Sequence, residues 1–198
     1  MTSNLLSLIS YVLISTFTPG PSNISSASMA VIHGYKKTLH YQFGLAAGVF
    51  LLMTLSGGFS GTLLRIFPSF EPILRYIGAA YILYLAFGIL KASYSFTEES
   101  VKPLGIANGF VLQILNPKLM VYAFTLFSAF LAPVSTNIAL LILTAILLAG
   151  TSFCATSVWA LFGTTIQAYL HNPRLKTMVN IILSLSLVYA ALSLIGLM

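Results

Sequence analysis

No Lys, Arg, Asp or Glu occurs in residues 1–35, 38–64, 76–90, 103–117, 119–173 or 177–198 of this chain. A spanning helix needs about 20 apolar residues, so each gap except 119–173 holds at most one span. The longest gap is split by the turn signal Ala132-Pro133-Val134-Ser135-Thr136-Asn137. The short gap 103–117 joins the apolar run that follows Lys118. Six spans result, near 5–32, 39–64, 72–91, 105–131, 138–165 and 177–197, in one transmembrane domain, 1–198. Composition agrees: nine Lys+Arg and three Asp+Glu leave 6% of the residues charged, where a soluble domain carries charge on roughly a quarter. With mean hydropathy at +0.98, a soluble fold is excluded. Segments such as Tyr81-Ile82-Leu83-Tyr84-Leu85-Ala86-Phe87 are apolar all round instead of alternating, which favours helices over a membrane β-barrel. The fold class expected is an all-α integral membrane protein.

The few charges orient the chain. Lys36 and Lys37, Lys91 and Lys102, and Arg174 and Lys176 lie in the loops between spans 1 and 2, 3 and 4, and 5 and 6. Only Arg65 and Arg75 flank a loop on the other side, six positive charges against two. Short basic loops stay cytoplasmic, which places both termini outside the cytoplasm. Residues 2–17 lack the basic start of a signal peptide. The net charge of +6 serves topology and contact with anionic lipid; no basic patch outside the membrane offers itself to nucleic acid. The single Cys154 excludes a disulfide framework, and the scattered His33, His40 and His171 give a metal little to bind. No metal or other cofactor is expected.

Spans 1 and 4 are each interrupted near the middle, by Thr18-Pro19-Gly20-Pro21 and by Asn116-Pro117-Lys118. Each break lies about 12 to 14 residues in, close to the bilayer midplane at about 1.5 Å per residue. Each also opens a set of three spans, repeat A at 5–91 and repeat B at 105–197, joined by the loop 92–104. Three is odd, so the second set enters from the opposite face. Two inverted three-helix repeats with broken helices at matching positions point to a transporter site. Proline removes an amide and frees carbonyls, and non-helical backbone at that depth survives only inside protein or beside a wet cavity. The half-helix after Pro21 begins with Ser22, Asn23, Ser25 and Ser26, and its free amides suit a carboxylate. A packed proline kink is the bland alternative.

Lys118 lies about 13 residues, some 20 Å, from either end of span 4, beyond the reach of snorkelling. A charge there costs roughly 2.5–3.5 kcal/mol and normally faces a cavity or a partner. No Glu lies mid-span and Asp is absent. Either a substrate carboxylate meets the ammonium, or carbonyls released at Pro19 and Pro117 hold it. Gln113, one turn before the break, and Tyr122, one turn after Lys118, are further candidates to line the site. The expected substrate-binding set is Pro19, Gly20, Pro21, Ser22, Asn23, Gln113, Asn116, Pro117, Lys118 and Tyr122, with Asn23 and Asn116 on the amino group or other polar atoms.

Thr18-Pro19-Gly20-Pro21-Ser22-Asn23-Ile24 followed by Gly34, Gly44 and Gly48, then Gly78-Ala79-Ala80-Tyr81-Ile82-Leu83-Tyr84-Leu85, then Asn116-Pro117-Lys118, resembles the lysine exporter (LysE/RhtB) family of amino-acid exporters. The resemblance runs over essentially the whole chain. The stretch Asn116 to Tyr122, Trp159-Ala160-Leu161, and Asn180-Ile181 through Leu187-Val188-Tyr189-Ala190 are most like the cysteine and O-acetylserine exporter branch. The resemblance implies export of small amino acids or derivatives across a prokaryotic plasma membrane by alternating access. Many exporters of basic amino acids in this family carry an aspartate where Val49 stands. Its absence favours neutral substrates and removes the usual acidic proton carrier.

The rival classes are weaker. An enzyme needs positioned acid, base, nucleophile or metal, and this chain is poorly supplied. A non-catalytic membrane subunit of a larger complex would explain the apolar surface without an interior cavity. The spacings Gly44/Gly48 and Gly57/Gly61 read as close helix packing, and Gly78-Ala79-Ala80 as packing or the surface of a homodimer. Cys154 is expected to be a small buried hydrophobe. The tyrosines and Trp159 suit interfacial belts or the core.

Overall fold

Two proline-bearing interruptions shape the helical bundle. The computed structural model describes residues 2–58, 73, 76–77, 79–87, 90, 103–169 and 173–196. The first helix, α1 (Thr2–Phe17), stops where Thr18-Pro19-Gly20 leaves the helical path, and α2 (Pro21–His33) restarts from an extended Gly20 with φ −171°. Pro21 occupies the first helical position, where a missing amide costs nothing. The two axes meet at 44°. Gly34, at φ 79°, closes α2 by donating its amide to Ala30 O, a left-handed end that glycine adopts without penalty. It also turns the chain directly into α3 (Tyr35–Gly58).

Residues 79–87 form α4. Next come α5 (Ile106–Ile114) and α6 (Pro117–Thr125), separated by Leu115 and Asn116. At the start of α5 the Asn108 side chain accepts from the Gly105 amide at 3.1 Å. At the start of α6 the Asn116 side chain accepts from Lys118 N at 3.1 Å, while Pro117 takes the first helical position. Beyond α6 the chain widens into a five-residue π-turn (Leu126–Phe130) and tightens into a 3₁₀ turn (Ala132–Thr136). The Asn137 side chain, accepting from the Ala139 and Leu140 amides, then starts the 32-residue α7 (Ile138–Tyr169). The last helix is α8 (Pro173–Leu194).

Among the described residues α3 and the stretch Ile138–Thr165 of α7 are each long and apolar enough to cross a bilayer, and α1 with α2 passes the same test as one bent span. Residues 105–131, expected as span 4, form α5, α6 and the π-turn, and the expected turn at 132–137 holds the 3₁₀ turn. Part of span 3, residues 92–102 of the loop, Arg65, Arg75, Lys91, Lys102, Glu71, Glu98, Glu99, Gly61, Gly78 and His171 lie outside the described residues. Cys154 departs from expectation. It is exposed, because it shares the outward face of α7 with Leu147, Val158 and Leu161.

Helices cross backbone to backbone toward the Lys36–Lys37 end. A Cβ on Gly44 would stand 2.0 Å from Ile106 O, one on Gly109 2.1 Å from Tyr41 O, and one on Gly163 2.3 Å from Ala27 O. These glycines let α3 meet α5 and α7 meet α2, the most extensive pairings in the bundle. Small residues serve membrane helices in this way, because lipid supplies no hydrophobic drive and close van der Waals contact must do the work. At the opposite end the helices meet through side chains: a Cβ on Gly57 would meet Leu141 and Phe127 side-chain atoms. There Met53, Leu126, Phe127, Leu141 and Ala145 form a buried apolar cluster. A second cluster joins Ile24, Tyr41, Leu45, Ile82, Leu112 and Leu187.

Candidate functional site

Both helix breaks come together between these clusters. Because α1 ends at Phe17, its last carbonyls lack intrahelical donors. Side chains supply them. Asn23 Nδ2 donates to Thr16 O at 2.9 Å and to Thr18 O at 3.0 Å, and Trp159 Nε1 donates to Phe17 O at 3.1 Å. Lys118 Nζ reaches across from α6 and donates to Thr18 O at 3.0 Å and Pro19 O at 3.4 Å. Of the two partners expected for Lys118, the carbonyls are thus in place, and both come from the first break. Those at Pro117 are not used, because the Asn116 amide takes Gln113 O at 3.2 Å. Glycine at position 20 makes the approach feasible: a Cβ there would lie 3.1 Å from both Cδ and Nζ of Lys118.

A second set of bonds ties α2 to the α5–α6 break. The Ser22 hydroxyl donates to Gln113 Oε1, and Asn116 Nδ2 donates to Ser22 Oγ at 3.1 Å and to Gln113 Oε1 at 3.4 Å. All three residues are buried, so each bond replaces water that is not there. Gln113→Leu leaves the Ser22 hydroxyl and the Asn116 amide without this acceptor, at about 1–3 kcal/mol for each buried group. Thermal unfolding of the purified variant in detergent should show a clear drop; an unchanged Tm would mean that the latch carries no stability.

A cavity of about 980 Å³ adjoins this junction, lined by Pro19, Gly20, Pro21, Asn116, Pro117, Lys118 and Tyr122 among others. A cleft of about 50 Å³ beside it is lined by Ser22, Asn23 and Gln113, together with Ser15, Val49 and Ser152. The two spaces therefore gather all ten residues singled out in the sequence. Tyr122 is buried and hydrogen-bonds with Thr16, and its ring stacks on Tyr11 at 5.6 Å, which stacks in turn on Phe130 at 5.8 Å. Among the described residues lining either space none is acidic, and Lys118 is the one cation.

Sequence reasoning missed part of the wall. Tyr11 and Ser15 of α1, Ile24, Ile82, Val121, and Ile182, Leu185, Ser186 and Tyr189 of α8 also face the large cavity. Residues 182, 185, 186 and 189 share one helical face, a spacing visible in the sequence. An apolar stripe of that kind reads the same whether it meets lipid or a cavity. Trp159 gave no signal as a cap, since the carbonyl it closes belongs to a helix more than a hundred residues away.

Among the described residues, an all-helical bundle with apolar helices long enough to cross a bilayer, built around broken helices and a cavity lined by a half-buried lysine, is that of an integral membrane protein. The family model of the LysE type translocator matches residues 13–196, and the chain belongs to that family, whose members are efflux transporters of bacterial membranes. It is 37% identical over 193 residues to the "Cysteine/O-acetylserine efflux protein" of Salmonella typhimurium, covering 96% of this chain and 97% of that one. The proteins of the same name from Klebsiella pneumoniae and Escherichia coli K12 are 34% and 33% identical, over 168 and 192 residues. These alignments cover 84% and 96% of this chain, and 86% and 97% of the relatives. No solved structure matches the chain.

Proposed function

We propose that this protein is a six-span secondary transporter, built as two inverted three-helix repeats, that exports neutral amino acids or their derivatives across the bacterial plasma membrane. The single observation that carries the reading is the Lys118 ammonium, held by Thr18 O and Pro19 O at the head of the large cavity. An ammonium has three protons, and two go to these carbonyls. The third, with the first-turn amides of α2, is available to a carboxylate. The Asn116 side chain, already turned toward Ser22, offers a polar contact on the same wall. Without an acidic residue among the described lining, a cationic side chain would lose water and gain no partner.

The glycine crossings hold α3 on α5 and α7 on α2 toward Lys36 and Lys37, and the cavity lies beside the breaks, lined from α1, α2, α6 and α8. With the basic loops in the cytoplasm, rocking of the repeats would expose this site to the two sides in turn. The interior cavity favours a carrier over a structural subunit.

The relatives' names make cysteine and O-acetylserine the first solutes to try. Purified protein in lipid vesicles should exchange these neutral amino acids across the membrane by counterflow, and should exchange lysine and arginine at least about tenfold more slowly, the discrimination that roughly 1.4 kcal/mol supplies. Failure to move any amino acid would overturn the carrier reading; rapid lysine exchange would overturn the neutral-substrate part alone.

A further inference from the structure

One face of α8 has no counterpart in the carboxylate-binding scheme. Ile182, Leu185, Ser186 and Tyr189 recur at the three- and four-residue spacing that keeps side chains on one helical face. The opposite face is packed: Leu187 and Ala191 are buried in a cluster with Ile82 and Ala79, and the Ser184 hydroxyl donates to Ala86 O at 2.8 Å. The first face is left open, with Ile182 at 53%, Leu185 at 61% and Tyr189 at 61% exposure. It forms one wall of the cavity whose other end holds Lys118 and Asn116.

The cavity is therefore polar at one end and apolar at the other. Ile24, Ile82 and Val121 extend the apolar end. The Ser186 hydroxyl gives its proton to Ile182 O at 2.8 Å, so it faces the cavity as an acceptor without charge. An amino acid bound by its carboxylate at Lys118 must direct its side chain somewhere, and desolvation sends an apolar one to the α8 wall.

We infer that the α8 face formed by Ile182, Leu185, Ser186 and Tyr189 is the side-chain specificity wall, and that it selects α-amino acids with uncharged, largely apolar side chains: branched aliphatic, thioether or O-acyl. This rests on the exporter reading above and names the substrate class of that same cavity. Leucine, methionine and O-acetylserine fit the description; serine, with a single methylene to bury against Ile182, Leu185 and Val121, does not.

The test is competition. Counterflow of labelled cysteine in vesicles is measured with unlabelled methionine, leucine, serine or lysine added, for the wild type and for Leu185→Asn, Leu185→Ala and Ser186→Ala. In the wild type, methionine and leucine should compete at least about tenfold better than serine, the low end of what one or two methylenes contribute in an apolar pocket. Leu185→Asn should bring that ratio close to one, and Leu185→Ala should lower it in proportion to the lost contact. Leu161→Asn, on the exposed outer face of α7, should leave the ratio as in the wild type. The inference falls if serine competes as well as methionine in the wild type, or if both Leu185 variants keep the wild-type ratio. In either case cysteine counterflow itself continues and the exporter reading stands. Absence of counterflow in the wild type for labelled cysteine, methionine and leucine alike removes both. Should Leu185→Asn fail to fold, the wild-type ratio and Leu185→Ala still decide.

Discussion

Lys118→Met is expected to lower amino-acid export by roughly 10- to 150-fold while the bundle stays folded. The lower and upper figures correspond to about 1.5–3 kcal/mol for a hydrogen bond to a charged group, here the substrate carboxylate. Methionine keeps much of the side chain's length and apolar stem but removes the charge and all three donors. Thr18 O and Pro19 O then lose the ammonium. They lie beside the cavity, so water replaces it and the cost in stability stays near 1 kcal/mol, that of an ordinary hydrogen bond. Asn23 and Trp159 still close the end of α1. Export from loaded cells and thermal unfolding in detergent separate the two effects. Lys118→Arg restores charge but should restore transport only in part. The Gly20 Cα is so close that even a Cβ there would stand 3.1 Å from Nζ, and a planar guanidinium needs more room than a point-like ammonium. Undiminished export by Lys118→Met would remove the residue from the substrate site.

What the sequence disclosed about this site follows from how costly each feature is in a bilayer. Two prolines at 19 and 21, an Asn-Pro pair at 116 and a mid-span lysine are expensive in hydrocarbon, so their positions alone marked the breaks. Their partners were open. Nothing in the spacing said whether Lys118 would face carbonyls or a ligand, because the choice depends on how α1 meets α6 in space. Asn23 was read as a substrate contact; it lines the small cleft, and its amide also closes the end of α1. Apolar positions were legible only as apolar. Leu187 packs against α4, Leu185 lines the cavity and Leu161 faces outward, though the three are chemically the same. Cys154 was expected to be buried for the same reason. The face of α7 on which it falls is set by the contacts of Ser152, Ala155 and Thr156 with the interior.

Gly109→Val is the substitution from which the largest loss of stability is expected. The Gly109 Cα lies so near α3 that a Cβ would stand 2.1 Å from Tyr41 O and 2.9 Å from Leu45 N. From the other helix, a Cβ on Gly44 would stand 2.0 Å from Ile106 O and 2.9 Å from Phe110 N. The obstructing atoms are backbone, which cannot rotate away, so α3 and α5 must separate. Overpacking within a core costs typically 1–3 kcal/mol and occasionally more; two helix backbones held apart belong at the upper end. The separation would also disturb Tyr41, which hydrogen-bonds Ser25 of α2 at 2.8 Å, and Gln113, whose Cβ sits 2.7 Å from where a Gly48 Cβ would be. Gly105 and Gly150 have nothing within 4 Å of such a Cβ, so Gly105→Ala and Gly150→Ala serve as references for glycine replacement without a clash. Gly109→Val should unfold many degrees below both in detergent and should not export, and Gly109→Ala should fall between. A wild-type Tm for Gly109→Val would mean that α3 and α5 do not cross backbone to backbone.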